Sequence, residues 1–272
     1  MKTKIVFCVS VFLCCVSLLQ AQQFRLSDGL YRIPYGNATT VEVITNVWNH
    51  SPLGCFDMWG TGGTTYNIVA AAGGWIRAIR DHNNVACGGS SCCNDKNNYI
   101  ILEHQNGEWS TYIHLRQNSI TDLGHVVGNW VDVGTVLGLE GDVGCATGSH
   151  LHLEVSRPRD PTDAFDDYDG VLRRHGELLN PVFCSVTTGY LQSGSTYTAG
   201  SCNYNCPTDI TPSGNVTNQV LRADNNITST NVFNTAGTGM YRAGSQIVLS
   251  PGFTAKEGVM FTAQIKTCNQ QD

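Results

Sequence analysis

Apolar and polar residues alternate in short segments along most of the chain. A period of two is typical of half-buried β-strands, and no helical period persists for more than about three turns. Together with 29 glycines and only 14% charged residues, this pattern favours strands and tight turns over long helices. We therefore predict a mainly β protein, with strands at Ile100–Glu103, Trp109–Leu115, Trp130–Leu139 and His150–Val155.

The composition changes in the second half of the chain, which predicts a domain boundary. Asn180-Pro181 ends the first pattern, and residues 184–207, rich in Ser, Thr, Gly and Cys, are typical of a linker. Beyond it, apolar residues recur on short segments separated by Gly-containing turns, which suits a solenoid whose rungs stack on one another. We predict a first domain at 22–183 and a small solenoid-like β-domain at 208–272.

The first residues predict a signal peptide at 1–21. Lys2 and Lys4 precede an apolar stretch, Ile5–Leu19, that is too short to span a bilayer, and Ala21 offers a small residue at the cleavage point. No second long apolar run follows. We expect an exported protein without a transmembrane segment, located outside the cell, in the periplasm or on the cell surface, with lipidation as a minor alternative.

The cysteines favour the same oxidising compartment. Of the 12 cysteines, three lie in the predicted signal peptide, and an exported chain that keeps nine predicts disulfides. The odd number leaves at least one thiol free or paired with another chain, if the signal peptide is cut as predicted. Cys87, Cys92 and Cys93 resemble part of a zinc knuckle, but no second pair has matching spacing, so we favour a disulfide-bonded loop.

The net charge argues against one class of partner. The chain carries 16 basic and 22 acidic residues, a formal charge of −6. Phosphate backbones attract clusters of lysine and arginine. Nucleic acid is therefore not an expected partner.

Two predicted strands carry histidines on one face. Along His150–Val155, a period of two turns the apolar residues towards the core and sets His150, His152 and Glu154 side by side on the opposite face. The same rule, applied to the strand around His114, turns Ile113 and Leu115 inwards and Tyr112 and His114 outwards. The remaining histidines have no companions at useful spacing and are predicted to be surface or structural residues: His82, His104, His125 and His175.

Two more candidate ligands, His50 and Asp57, lie in a turn-rich segment. A loop of this length, with a proline and a glycine, brings both ends to one metal ion. Catalytic zinc typically takes three His or carboxylate ligands and leaves one position for water. Four histidines and one aspartate supply three ligands and two imidazoles that orient the water, accept its proton or stabilise an oxyanion. Spacing alone does not establish such a site, because each side chain also fits a solvated strand or turn.

The stretch from His50 to about Val155 resembles the catalytic domain of the lysostaphin- and LytM-type zinc endopeptidases, which cleave peptidoglycan peptides. Five segments occur in the order of that family over about a hundred residues, a far more specific pattern than any single motif. These segments are His50…Gly54…Asp57, Thr64-Thr65 with Ile68–Trp75, Asn97–His104, Tyr112–Leu115, and Gly134–Gly138 leading into Gly144 and Thr147–Val155.

The resemblance implies a role for each candidate residue. It makes His50, Asp57 and His152 the ligands of one Zn²⁺ ion per chain, and His114 and His150 catalytic residues. It implies an antiparallel β-sheet groove with zinc at its floor, within an endopeptidase domain at 22–183. The implied substrates are stem or bridge peptides of peptidoglycan, hydrolysed by metal-activated water; the bond that is cut and the oligomeric state stay open.

Two departures from the family pattern affect the groove. The spacing from His50 to Asp57 exceeds the commonest His-x-x-x-Asp and includes Cys55, and Cys87–Asp95 is an unusual insertion that is expected to form a wall of the groove. Neither removes a ligand.

Three alternatives remain open at this stage. One is a catalytically idle family member that acts as a scaffold or activator of wall hydrolases, and another is an endopeptidase acting on glycine-rich host proteins. The third is an adhesin whose working part is the C-terminal domain. That domain, around Ala243–Ala255, resembles a small β-domain of exported Bacteroidetes proteins, which implies export and surface retention rather than catalysis.

Overall fold

A computed structural model describes residues 24–88, 91–160, 169–186, 188–202, 206–235 and 237–268. The predicted signal peptide lies outside these residues. Two 3₁₀ helices are formed by Ser91–Lys96 and Thr121–Leu123. The strands of the first part are β1 Leu26–Tyr31, β2 Thr40–Thr45, β3 Phe56–Thr61, β4 Asn67–Val69, β5 Gly74–Arg80, β6 Tyr99–Glu103, β7 Trp109–Ile113, β8 Trp130–Val131, β9 Val136–Leu139, β10 Leu151–Pro158, β11 Gly176–Leu178, β12 Asn180–Phe183 and β13 Thr196–Thr198. The strands of the C-terminal part are β14 Asp209–Ile210, β15 Ser213–Val216, β16 Gln219–Ala223, β17 Asn226–Phe233, β18 Thr238–Ala243, β19 Gln246–Leu249, β20 Thr254–Ala255 and β21 Met260–Ile265.

One antiparallel sheet organises the first part of the chain. Its strand order is β13-β2-β3-β10-β7-β6-β5-β8, with β11 paired to β10, and every pairing in it is antiparallel. The predicted mainly β fold with an antiparallel sheet is therefore confirmed. Strands β3, β10 and β7 are adjacent, which brings residues from three distant parts of the sequence together.

The predicted alternation along β10 is confirmed. Leu151, Leu153 and Val155 pack in the main hydrophobic core. Each is at most 1% exposed, and burying an aliphatic side chain of this size contributes about 2 kcal/mol to folding. His152 on this strand, and His150 just before it, consequently face the other side of the sheet.

The predicted orientation of Tyr112 and Ile113 was wrong. Tyr112 is fully buried in the main core, where its hydroxyl accepts a hydrogen bond from the backbone N–H of Ala71 at 2.9 Å. Ile113 turns to the opposite face. His114 adopts a left-handed conformation with φ of 71°, so the alternation breaks there, and Leu115 returns to the main core. Strict alternation fails at a residue whose backbone leaves the β region.

The predicted strand at Trp130–Leu139 is two strands in different sheets. β8 pairs with β5, whereas β9 pairs with β4. A turn separates them, with the N–H of Thr135 donating to the carbonyl of Asp132 at 3.0 Å. Gly134 has φ of 82°, a conformation that glycine adopts at little cost.

The segment predicted as a linker contributes to both parts of the molecule. β13, inside 184–207, pairs with β2 at the edge of the main sheet. β12, which contains Asn180-Pro181, pairs in parallel with β1, and Cys184 forms a disulfide with Cys202. The exact domain boundary therefore stays a prediction.

The C-terminal part stacks its strands in parallel, as a solenoid does. β17 pairs in parallel with β14, β15, β19 and β20, and β18 pairs in parallel with β16 and β21. Ile210, Ile227 and Ile247 occupy matching positions on successive rungs. A disulfide from Cys206 to Cys268 joins the two ends of this part across 62 residues.

The predicted disulfide-bonded loop is also present, as Cys87–Cys93. Cys55 forms no disulfide and is buried. No helix in the described ranges has the length and hydrophobicity needed to cross a membrane.

His104 provides a test of the fold that does not involve the candidate site. Its ring nitrogens lie 2.8 Å from the Gly73 carbonyl oxygen and 2.8 Å from Ser110 Oγ. Burial lowers the pKa of His104 from 6.5 to about 4. Between these values the unfolded chain binds a proton that the folded chain does not bind, so the free energy of unfolding decreases as the pH falls from about 6.5 to about 4, by roughly 3 kcal/mol in total.

We expect the His104→Gln protein to show a flatter pH dependence than the wild type over this window. Denaturant unfolding of both proteins at pH 7 and pH 5 measures the difference. If the free energy of unfolding changes equally between pH 7 and pH 5 in both proteins, His104 does not make this contribution.

Candidate metal centre and active site

The five predicted site residues meet at one cavity. Asp57 on β3 lies opposite His152 on β10 in the antiparallel register, and His152 lies opposite Ile113 on β7. His50 comes from the loop before β3, and His114 follows β7 directly. The sheet therefore brings together residues that are almost a hundred positions apart in the sequence.

Asp57 is the centre of this cluster. One carboxylate oxygen, Oδ2, lies 3.1 Å from His50 Nε2. The other, Oδ1, lies 3.1 Å from His152 Nδ1 and 3.5 Å from His150 Nε2. One ligand atom from each of His50, Asp57 and His152 falls within 4.8 Å of the others, a separation that one metal ion can bridge.

The second ring nitrogen of each candidate ligand histidine is occupied. His50 Nδ1 lies 2.6 Å from the Pro52 carbonyl oxygen and donates to it, and His152 Nε2 donates to Glu154 Oε1 at 3.1 Å. With these protons placed, His50 Nε2 and His152 Nδ1 turn lone pairs towards the Asp57 oxygens. Three acceptors that converge in this way fit a divalent cation, whose charge relieves the repulsion among their lone pairs.

The charges of the cluster favour bound cations. Burial raises the pKa of Asp57, but its contacts with three histidines outweigh burial and hold the pKa well below its usual range. Burial lowers the pKa of His50, and contacts with Asp57 and Cys55 reverse the effect and raise it to about 9. Burial also lowers the pKa of His152, while Cys55 and then Asp57 raise it well above its ordinary value. Protons on the imidazoles, or a metal ion among them, balance the carboxylate.

His114 is held beside this cluster in a neutral form. Its left-handed backbone turns the ring into the cavity, where Nδ1 donates to the carbonyl oxygen of Val143 at 2.9 Å. Burial, followed by the neighbouring His150 and His152, lowers the pKa of His114 to about 3. Its Nε2 lone pair is consequently available at neutral pH. A non-glycine residue with positive φ is uncommon, and such conformations concentrate at functional sites.

His150 lies between His114 and the ligand cluster. Its Nδ1 donates to the Gly148 carbonyl oxygen at 2.8 Å. The centroid of its ring is 4.8 Å from that of His114. The two imidazoles thus form a pair on one side of the Asp57 carboxylate.

The cavity above these residues has a volume of about 370 Å³. Asn94, from the cysteine-bearing insertion, contributes to one wall, where the sequence predicted that this segment would lie. Besides the five site residues, the lining consists of Ser51, Pro52, Asn94, Asn97, Ile113, Cys145, Thr147, Val171 and Arg173.

Sequence reasoning assigned no role to Glu154 or to Arg173. The fully buried Glu154 carboxylate accepts hydrogen bonds from His152 Nε2, from Cys55 Sγ at 3.2 Å and from the Leu172 N–H at 2.6 Å. Arg173 Nη1 lies 3.2 Å from it and supplies a countercharge. The period of two placed Glu154 on the histidine face, so its position was foreseeable, whereas the irregular segment around Arg173 carried no pattern.

Glu154 therefore fixes the ring of His152, and its substitution tests that function. Glu154→Gln keeps the size of the side chain but replaces one acceptor oxygen with an NH₂ group. We expect zinc affinity to fall by about 10–100-fold, as is usual when a carboxylate behind a metal-bound histidine is removed. Competition with a chelating dye measures the affinity.

Glu108→Gln is a matched control, because Glu108 is also a fully buried carboxylate and accepts from Tyr31 Oη at 2.9 Å, away from the cavity. This variant is expected to lower stability without changing zinc affinity. Equal losses of zinc affinity in both variants would contradict a specific role for Glu154.

The sequence itself matches a known family over this region. Residues 56–164 match the model of Peptidase family M23, which confirms the resemblance to lysostaphin- and LytM-type enzymes. The match includes Asp57, His114, His150 and His152, while His50 precedes it by six residues. The family match supports the assignment of this protein to the class of peptidases. A comparison with curated protein sequences finds no match.

Three solved structures that are similar to part of this chain are named as peptidases. The catalytic domain of the antimicrobial peptidase lysostaphin from Staphylococcus simulans is 21% identical, over 51% of this chain and 88% of that one, with a TM-score of 0.29. A zinc-containing peptidase from Vibrio cholerae is 21% identical, over 53% of this chain and 41% of that one, with a TM-score of 0.32. A putative peptidase M23 from Pseudomonas aeruginosa is 24% identical, over 48% of this chain and 48% of that one, with a TM-score of 0.32. The chain spans less than half the length of the latter two.

Proposed function

We propose that this protein is an exported zinc endopeptidase that hydrolyses peptide cross-links of peptidoglycan. The observation that carries the proposal is the convergence of His50 Nε2, His152 Nδ1 and the Asp57 carboxylate, with the other ring nitrogens of both histidines bound elsewhere. Two nitrogens and a carboxylate oxygen form the donor set of catalytic zinc sites. Geometry and ligand type favour zinc over harder cations, which prefer oxygen donors.

In this proposal His50, Asp57 and His152 hold the metal, which, when bound, supplies Lewis-acid polarisation of the scissile carbonyl and activates water. Glu154 keeps the His152 ring in the orientation that points Nδ1 at the site. Arg173 compensates the charge of Glu154, so the buried carboxylate does not stay unpaired.

His114 and His150 then handle protons and developing charge. His114 is neutral and offers its Nε2 lone pair to the attacking water, because its Nδ1 proton is fixed on Val143. The proton that His114 takes from the water passes to the departing amine as the C–N bond breaks, and His150, whose ring is adjacent, assists this transfer and the stabilisation of charge on the carbonyl oxygen. Proton transfer by a positioned imidazole contributes about 10²–10⁴-fold to such reactions.

Peptidoglycan is proposed as the substrate because the motif order resembles that of wall endopeptidases. Three predicted properties agree with an exported enzyme: the signal peptide, the disulfides and the expected lack of a transmembrane segment. The disulfides are present in the structure.

The test combines metal analysis with a cleavage assay. The purified full chain without its predicted signal peptide is expected to bind about one zinc ion and to release peptides from purified peptidoglycan, and to stop doing so after chelation until zinc is restored. Walls with direct diaminopimelate cross-links and walls with glycine bridges, compared side by side, identify the bond. Zinc-loaded protein that cleaves neither wall would contradict the proposal, and cleavage of glycine-rich host proteins instead would favour the alternative endopeptidase.

A further inference from the structure

A second row of side chains lies beside the candidate metal centre on the same face of the sheet. Trp59 follows Asp57 by two residues on β3, so both point to the same face of the sheet. The indole is 40% exposed, although the residues between and before them, Met58 and Phe56, are buried. The indole therefore presents an accessible aromatic face on the same side of the sheet as Asp57.

Glu42 holds this indole in place. It lies directly opposite Trp59 in the β2–β3 register. Trp59 Nε1 donates to Glu42 Oε2 at 3.0 Å, which fixes the plane of the ring. In the described part of the chain Glu42 takes part in no ion pair, so its negative charge is not compensated by a neighbouring lysine or arginine.

The Trp59–Glu42 pair is within reach of a bound peptide. Two residues along a strand span about 6.6 Å, and neighbouring strands are about 4.8 Å apart. An extended substrate has the same spacing between side chains on one side. A peptide whose scissile bond lies at Asp57 therefore places a side chain one or two residues away over this pair.

An indole face beside an uncompensated carboxylate is suited to an alkylammonium group. Cations are attracted to the face of tryptophan more strongly than to any other aromatic ring, and the carboxylate adds a charge-assisted hydrogen bond. The same carboxylate repels anionic side chains.

We propose that Trp59 and Glu42 form a subsite for an amine-bearing side chain of the substrate, such as lysine or the free amine of a diamino acid. This inference rests on the proposed function, because it places the subsite along the groove of a peptidase. It favours stem peptides that carry a free amine over bridges built only from glycine.

The experiment compares two peptides on the full chain by calorimetric titration. The probes are the stem-type tetrapeptide L-Ala-D-isoglutamine-L-Lys-D-Ala and the same peptide acetylated on the lysine amine. Wild-type protein is expected to bind the free amine roughly tenfold more tightly. Glu42→Gln retains an oxygen that accepts from the indole but removes the charge, and Trp59→Leu removes the ring, so each variant should lose most of the discrimination.

The chain offers a matched control in Trp130. It is 42% exposed, and its Nε1 donates to Asp132 Oδ1 at 2.9 Å, but it lies on β8 at the other edge of the sheet. Trp130→Leu should leave the preference for the free amine unchanged. An equal loss in this variant would show that the effect is not specific to Trp59.

Equal affinity of the wild type for the two peptides, or no binding of either at millimolar concentration, would overturn the subsite. Peptidoglycan cleavage by zinc-loaded protein is scored separately. Cleavage without amine discrimination would contradict the subsite but not the proposed hydrolase. Amine discrimination without cleavage would contradict the proposed hydrolase.

Discussion

We expect the His152→Ala protein to lose zinc and to have no measurable peptidoglycan hydrolysis. His152 is the candidate ligand with the most complete support: Nδ1 faces Asp57 and Nε2 is fixed by Glu154. A zinc site binds with about 10–16 kcal/mol, shared among its ligands, and each 1.4 kcal/mol is a factor of ten. Loss of one of three ligands should therefore weaken zinc binding by about 10²–10⁴-fold. Elemental analysis after dialysis and the release of wall peptides measure the two effects.

The exposed His82 provides a control for this experiment, because it lies outside the cavity lining. His82→Ala should retain full zinc content and activity. A thermal melt of His152→Ala shows whether the variant is folded. Folded His152→Ala protein that binds zinc as tightly as the wild type would remove this residue from the ligand set.

The His114→Asn protein is expected to keep its zinc and to lose about 10²–10⁴-fold in kcat, the usual contribution of a positioned general acid or base. Asparagine tolerates the left-handed backbone that this position requires, so the substitution removes the imidazole without straining the chain. Zinc should remain because His114 is not among the three residues whose ligand atoms converge, His50, Asp57 and His152. Steady-state kinetics and metal analysis on the same preparation test both statements.

Two results would contradict this role. Loss of zinc in folded His114→Asn protein would make His114 a ligand instead of a proton carrier. Unchanged kcat would leave proton transfer to His150 alone. Because the ring is neutral and faces the cavity, we expect kcat and kcat/KM to fall by the same factor while KM stays unchanged.

The pattern along β10 was readable in the sequence. Strict alternation places Leu151 and Leu153 in the core, and it therefore sets His150 and His152 on the other face. The order of motifs named all five candidate residues, and the structure brings them to one cavity. Their roles as ligands and catalysts stay predictions that the variants above test.

Alternation failed where the backbone departs from a strand. Tyr112 packs in the core whereas His114, two residues later, faces the cavity, because the positive φ of His114 breaks the period there. No local pattern marks a non-glycine residue that is held in this conformation by its surroundings. The turn at Gly134 similarly ended one strand and sent the next to another sheet.

The sequence by itself determined the class of fold and the disulfide-bonded loop, because both depend on residue type and local period. It named the candidate ligands only through the resemblance of its motif order to the lysostaphin- and LytM-type endopeptidases. Only the tertiary structure decided which groups support those ligands. Glu154, Arg173 and the Trp59–Glu42 pair acquire their partners through contacts between segments that are distant in the chain, and such contacts are set by strand order and register, which local periodicity does not encode.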